Sequence, residues 1–186
     1  IVGRLLEAIE QNPALLEPKN QDELLRKVYN NINEKDVAAK IGASLEFIWL
    51  DTEHRHGYIS VEPFTDIVLS GDVNRIVSES KAKFSRIQNE IEKLTRTKPR
   101  NILIKLPVTR PGLEAAEILL SEGYNLNYTL IATAEQYRDV IKTYKAGIKK
   151  FIQAAWNRLV EQADINQPQT QRIEEFQCFV KENLPQ

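Results

Sequence analysis

Asn101-Ile-Leu-Ile-Lys-Leu-Pro-Val-Thr109 decides how the rest of this chain is read. Ile, Leu and Val crowd a short run bounded by Pro99 and Pro107, the pattern of a β-strand covered on both faces. A single lysine, Lys105, interrupts it. The next stretch, Arg110-Pro-Gly-Leu-Glu-Ala-Ala-Glu-Ile-Leu-Leu-Ser-Glu-Gly123, sets Leu113, Ala116 and Leu120 at helical spacing and closes on a glycine stop. Asn125-Leu-Asn-Tyr-Thr-Leu-Ile131 is extended again. The unit is strand, helix, strand, and Lys105 falls near the C-terminal end of a strand, where parallel α/β folds gather their chemistry.

Working upstream, Tyr58-Ile-Ser-Val-Glu-Pro63 reads as a strand with Ile59 and Val61 on one side, Ser60 and Glu62 on the other, and a proline to end it. A charged helix over 72–93 turns Val73, Ile76, Val77, Phe84, Ile87 and Ile91 inward and most of its charge outward. Three helices precede the strand: 1–11, one from Asn20 or Gln21 to Ile32 with a polar Asn30–Asn33 end, and 34–49 with Val37, Ala38, Ile41, Leu45 and Ile48 on one face. Downstream, a helix over 134–146 stops at Gly147 and another follows over 148–163. A loop at Asp164–Pro168 leads to a last helix, 170–184, burying Ile173, Phe176, Phe179 and Val180. Strands near 58, 101 and 125 separated by helices predict a parallel α/β architecture flanked by helix-rich ends.

A chain of 186 residues suits a single domain, 1–186, or part of a larger one. Its formal net charge of −1 makes no electrostatic case for nucleic acid or a membrane surface. No apolar run approaches the roughly 20 residues that cross a bilayer, and no leader pattern opens the chain. The one cysteine, Cys178, cannot form an internal disulfide, which fits a reducing compartment and a cytoplasmic location, and it reads as a small buried hydrophobe. The chain opens Ile1-Val-Gly and holds no methionine, so it is expected to be a fragment or to lack residues of its parent. Three strand signals with no closing strands predict bare sheet edges, and hence association with itself or a partner.

Lys105 is the main chemical candidate. Desolvation in an apolar strand disfavours the ammonium, and a neutral amine attacks carbonyls to form Schiff bases. The plain alternative is a lysine that reaches solvent or pairs with a carboxylate. Glu62, at the end of another strand, is either a proton shuttle beside Lys105 or its ion-pair partner. Asn127 and Thr129 alternate onto one side of the third strand, placed to hydrogen-bond a substrate hydroxyl and a water. His54 and His56 lack a third metal ligand nearby, so no metal is expected. Trp49 and Trp156 read as core. Lys145, Lys149 and Lys150 read as a solvated helix face, with a phosphate-holding cluster as the alternative. No Gly-rich phosphate loop or nucleophile triad is present.

These motifs, over about 51–146, resemble the transaldolase family. Gly57-Tyr-Ile-Ser-Val-Glu62 resembles its third barrel strand with the catalytic glutamate. Ile104-Lys-Leu-Pro-Val-Thr-Arg-Pro-Gly-Leu-Glu-Ala-Ala116 resembles the strand carrying the Schiff-base lysine, and Gly123-Tyr-Asn-Leu-Asn-Tyr-Thr-Leu-Ile131 the next strand. The resemblance implies a (β/α)8 TIM barrel, incomplete in this chain. It also implies transfer of a dihydroxyacetone unit between sugar phosphates in the pentose phosphate pathway, with no metal or organic cofactor. Lys105 would hold the covalent unit, Glu62 with Thr109 or Thr129 would position the water, and Asn127 would touch substrate. The alternative is a degenerate homologue serving as a binding or scaffold module. The family's first-strand aspartate and its Thr-Ser/Thr-Asn-Pro motif have no counterpart before residue 58. Gly147 is followed by Ile-Lys-Lys-Phe-Ile-Gln in place of the family's Ser-Pro-Phe-x-Gly-Arg phosphate clamp.

Overall fold

A computed structural model of the chain describes residues 2–29, 34, 37–162 and 168–185. Eight α-helices and three strands follow one another among these residues. Helix α1 (Val2–Gln11) leads through 3-10 turns at Pro13–Leu16 and Pro18–Asn20 to α2 (Gln21–Tyr29) and α3 (Ala39–Asp51). Next come β1 (Ile59–Val61), a short α4 (Thr65–Leu69) and the long α5 (Val73–Thr95). The lysine strand is β2 (Ile102–Pro107), followed by α6 (Arg110–Ser121), β3 (Leu126–Thr129), α7 (Ala134–Gln162) and α8 (Gln169–Asn183). The strands are ordered β1-β2-β3 in the sheet, and β2 pairs parallel with β3. The expected Asn30–Asn33 helix end, with Ile32, and most of the expected loop at 164–168 lie outside the described residues.

The chain divides into two compact units, Ile1–Val61 with Ala82–Ile102, and Glu62–Lys81 with Leu103–Gln186. In the first, α3 is rotated so that its small residues sit deepest, while Leu45 and Ile48 of the expected apolar face are half-buried. Ala39 and Gly42 are buried, whereas Val37 and Ile41 are 43% and 48% exposed. The small residues let the helix approach Ile91 and Ile59 closely, a contact that large apolar side chains would hold open. Asn101 is the polar anchor of this unit. Its side-chain amide donates to the Gly42 carbonyl at 2.9 Å and the Gly57 carbonyl at 3.1 Å, while its backbone carbonyl accepts from Ile59 N at 2.9 Å. Asn101→Ala leaves one buried and one part-buried carbonyl without this donor and should cost about 2–3 kcal/mol. Urea denaturation should show the midpoint falling at unchanged slope.

The charge of α5 is not all outward. Lys83 and Glu34 are each 3% exposed, and Glu34 takes both Nε (2.6 Å) and Nη2 (2.9 Å) of Arg86 with Lys83 Nζ at 4.0 Å. Spacing alone sends a lysine to solvent; a carboxylate arriving from 49 residues earlier in the chain makes its burial tolerable.

In the second unit, α6 buries Gly112, Ala115, Ala116, Leu119 and Leu120. Helix α7 runs unbroken through Gly147, where the sequence predicts a stop. A Cβ at Gly147 would lie 2.5 Å from Leu120 Cβ and 3.1 Å from the Glu117 carbonyl oxygen, so this glycine serves the close approach of α6 and α7. Helix α8 holds no fully buried residue, against the expected burial of Ile173, Phe176, Phe179 and Val180. It docks by its rings instead: Phe179 stacks on Phe151 at 6.2 Å and Phe176 meets Trp156 edge-on at 5.2 Å. Cys178 is exposed, contrary to expectation, because it lies off that ring-bearing face, with Sγ 3.4 Å from Glu182.

Candidate functional site

Strand β2 alternates strictly: Ile102, Ile104 and Leu106 are at most 1% exposed, while Leu103, Lys105 and Pro107 are half-buried. Of the two faces expected to be covered, one is closed and the other is half-buried, and Lys105 points to that more open side. Burying each of those three aliphatic side chains is worth about 1.5–3 kcal/mol, which fixes the strand from behind. The lysine contributes little to that hold. Its Nζ lies 3.4 Å from Glu62 Oε2, with the two side chains 38% and 56% exposed, a pair worth about 0–1 kcal/mol.

Glu62 stands directly after β1. Its direct contact with Lys105 leaves no space for a bridging water between the two groups, so the ion-pair reading of Glu62 describes the resting arrangement. Lys105 is likewise less enclosed than its sequence context predicts, and Ile102, Ile104 and Leu106 do not wall its amine.

Register sets the neighbours. Lys105 pairs with Asn127 and Pro107 with Thr129, so these residues share a face of the sheet. Thr129 Oγ1 donates to the Leu106 carbonyl at 3.3 Å, and its carbonyl accepts from Val108 N at 2.9 Å. Thr109 is the N-cap of α6, in extended conformation, its Oγ1 accepting from Gly112 N at 3.2 Å. That hydroxyl keeps its own proton to donate. On the other face, burial raises the Tyr128 phenol well above the ordinary tyrosine range, with Tyr144 and Glu117 adding to the effect.

Lys105, Glu62, Thr109 and Thr129 line one pocket of about 400 Å³, within the size range of small-molecule sites. Asn127, although level with Lys105, does not line it. The remaining wall is largely apolar: Pro63, Val68, Leu69, Pro107, Pro111 and Leu130. Sequence reading missed α4, which supplies Thr65, Val68 and Leu69, because five residues are too few for a periodicity to register. It missed Leu130 as well, whose φ of 61° places a leucine in the left-handed region just past β3. His54 stacks on Trp49 at 3.8 Å, and His56 N donates to Thr52 Oγ1 at 3.0 Å. Among the described residues no three His, Cys, Asp or Glu side chains gather into a metal-binding group, and no helix is long and apolar enough to cross a membrane.

Strands β2 and β3 run parallel, and a lysine, a carboxylate and two threonines near the strand ends line one pocket, an α/β arrangement with a candidate site there. The chain belongs to the transaldolase/fructose-6-phosphate aldolase family, whose sequence signature matches residues 3–177. It is 29% identical over 148 residues to Transaldolase 2 of Nostoc punctiforme, covering 80% of this chain and 29% of that protein. It is 33% identical over 94 residues to a transaldolase of an Arthrobacter species, covering 50% and 22%, and 33% identical over 102 residues to a transaldolase of Mycolicibacterium paratuberculosis, covering 55% and 24%. The chain thus spans less than a third of the length of each of these relatives.

Proposed function

We propose that this chain carries the Schiff-base half of a transaldolase site, transferring a dihydroxyacetone unit between sugar phosphates in the pentose phosphate pathway, in the cytoplasm. In this reading β1, β2 and β3 are part of a (β/α)8 barrel. The observation that carries it is the 3.4 Å approach of Lys105 Nζ to Glu62 Oε2 in a pocket at the strand ends. Glu62 accepts a proton from the ammonium, and the freed amine adds to the ketose carbonyl to give a carbinolamine. Glu62 returns the proton to the carbinolamine oxygen, which leaves as water as the C=N bond forms. The iminium then draws the electron pair of the Cα–Cβ bond, one bond removed from the C=N carbon, and the aldose departs as its hydroxyl proton is taken; the enamine left on Lys105 adds to the carbonyl carbon of an acceptor aldose phosphate, whose oxygen takes up a proton. Thr109 and Thr129 hold the water that later hydrolyses the imine, and Asn127 acts on the substrate from beside Lys105. The family's aspartate takes the hydroxyl proton, and no residue of this chain is assigned that step.

Fructose 6-phosphate with borohydride tests the reading by the mass left on Lys105. Three carbons mark a site that cleaves, and six carbons a site that forms the imine and stalls. An unmodified Lys105 refutes it and favours a binding module that keeps Lys105 and Glu62 as a resting ion pair.

A further inference from the structure

The geometry points to Gln136 as a positioning residue of the site: its side chain ties the loop after β2 to the loop after β3 and so fixes Thr109 at the Lys105 pocket. The inference rests on Lys105 forming the imine and on the water assigned to Thr109 and Thr129. It adds the residue, outside the pocket, that sets one partner of that water.

Gln136 is the third residue of α7. Its N–H donates to Thr133 Oγ1 at 3.1 Å and its Oε1 accepts from Thr133 N at 3.1 Å, the reciprocal pair that caps a helix start. Oε1 also accepts from Ala132 N at 2.8 Å. Both bonds to Oε1 need only an acceptor. A glutamate would supply it, with a charge that a helix N-terminus favours. The remaining bond needs the amide. Nε2 donates to the Val108 carbonyl at 3.3 Å, in the segment that follows β2, and a carboxylate has no proton to give there.

Val108 is thereby held at both backbone groups, since its N–H donates to the Thr129 carbonyl at 2.9 Å. Its carbonyl shares a planar peptide unit with Thr109 N, which donates to the Pro107 carbonyl at 2.9 Å. Releasing the carbonyl lets that plane turn, and Thr109 turns with it. Packing does little to hold Thr109 itself. The residue is exposed, and it lines both the Lys105 pocket and a second hollow of about 320 Å³ whose wall includes Val108 and Gln136. Hydrogen bonds therefore set its place, and Gln136 makes the one that joins the two loops through a side chain reaching from α7.

Oxygen exchange reads this water without any cleavage of the carbon chain. Imine formation joins Lys105 Nζ to the ketose carbonyl carbon and releases the carbonyl oxygen as water. Hydrolysis adds a solvent water to that carbon, breaks the C–N bond and frees the amine. Each cycle replaces the carbonyl oxygen with one from solvent, and no oxidant or reductant is consumed.

Fructose 6-phosphate carrying heavy oxygen at its carbonyl is incubated with the unaltered chain, Gln136→Glu and Gln136→Leu, with Lys105→Arg as the blank for spontaneous exchange. A brief borohydride pulse after equilibration gives the Lys105 adduct, and label loss is expressed per adduct. Exchange per adduct should fall about tenfold in both variants. Gln136→Leu, which also loses the cap, should melt about 2–4 °C below Gln136→Glu. A glutamine that only capped α7 would leave Gln136→Glu exchanging at the unaltered rate, and that result overturns the inference even if Gln136→Leu fails to fold. An adduct in the unaltered chain without exchange above the blank shows that no water is held there and overturns it too. No adduct on Lys105 of the unaltered chain removes the nucleophile, and the inference with it.

Discussion

Lys105→Arg is expected to abolish reductive trapping at this position completely while moving the melting temperature by no more than about 2–4 °C. Arginine keeps a positive charge opposite Glu62 and fills a similar volume, but its guanidinium does not deprotonate near neutral pH and forms no imine under these conditions. The small thermal effect follows from exposure. With side chains 38% and 56% exposed, the 3.4 Å pair is screened by solvent, and β2 is held by Ile102, Ile104 and Leu106 on its other face. Glu62→Gln is the companion variant. It leaves the amine in place and removes the base, so trapping should slow about 100-fold yet still reach Lys105. An arginine variant that unfolds would show that the lysine is structural. A glutamine variant that traps at the full rate would show that Glu62 moves no proton.

Gly112→Ala should destabilise the chain by about 3 kcal/mol, a fall of roughly 6–12 °C in melting temperature. A Cβ there would lie 2.2 Å from the carbonyl oxygen of Pro107 and 3.1 Å from Thr109 Oγ1. The first is a backbone atom at the end of the lysine strand. It cannot swing aside as a side-chain tip can, so α6 or the end of β2 must shift. Thr109, which caps α6 through Gly112 N, moves with them. Trapping at Lys105 should therefore weaken in the fraction that remains folded. Gly3→Ala is the control of opposite sign. Nothing lies within 4 Å of the new methyl, and alanine favours helix α1 by about 0.8–1 kcal/mol. Circular dichroism melts of the two variants, read side by side, separate overpacking from helix propensity.

The lysine strand, the helix after it and the next strand were legible in the sequence because each is local. An apolar run between prolines, a 3.6-residue spacing and a closing glycine are set by neighbours along the chain. The expected placing of Lys105, Glu62, Asn127 and Thr129 near strand ends followed from strand pattern and alternation, whereas Thr109 entered only through the family resemblance. What the sequence could not settle was which face of each element meets another. Gly147 reads as a stop in one dimension and is a contact point for Leu120 in three. Val37 and Ile41 look like core on α3, yet the small Ala39 and Gly42 decide which face is inside. Lys83 is buried because Glu34 reaches it from far away in the chain.

The same division runs through the site. Residue type and order led to the expectation of a lysine, a carboxylate, an asparagine and a threonine at strand ends, since chemistry and periodicity are carried by the chain itself. Only the tertiary structure decided that Lys105 rests against Glu62 on the half-open face, that Asn127 lies beside the pocket without lining it, and that Leu69 and Leu130 join its wall. Those outcomes depend on register between β2 and β3 and on a five-residue helix, and neither leaves a periodic trace in the sequence.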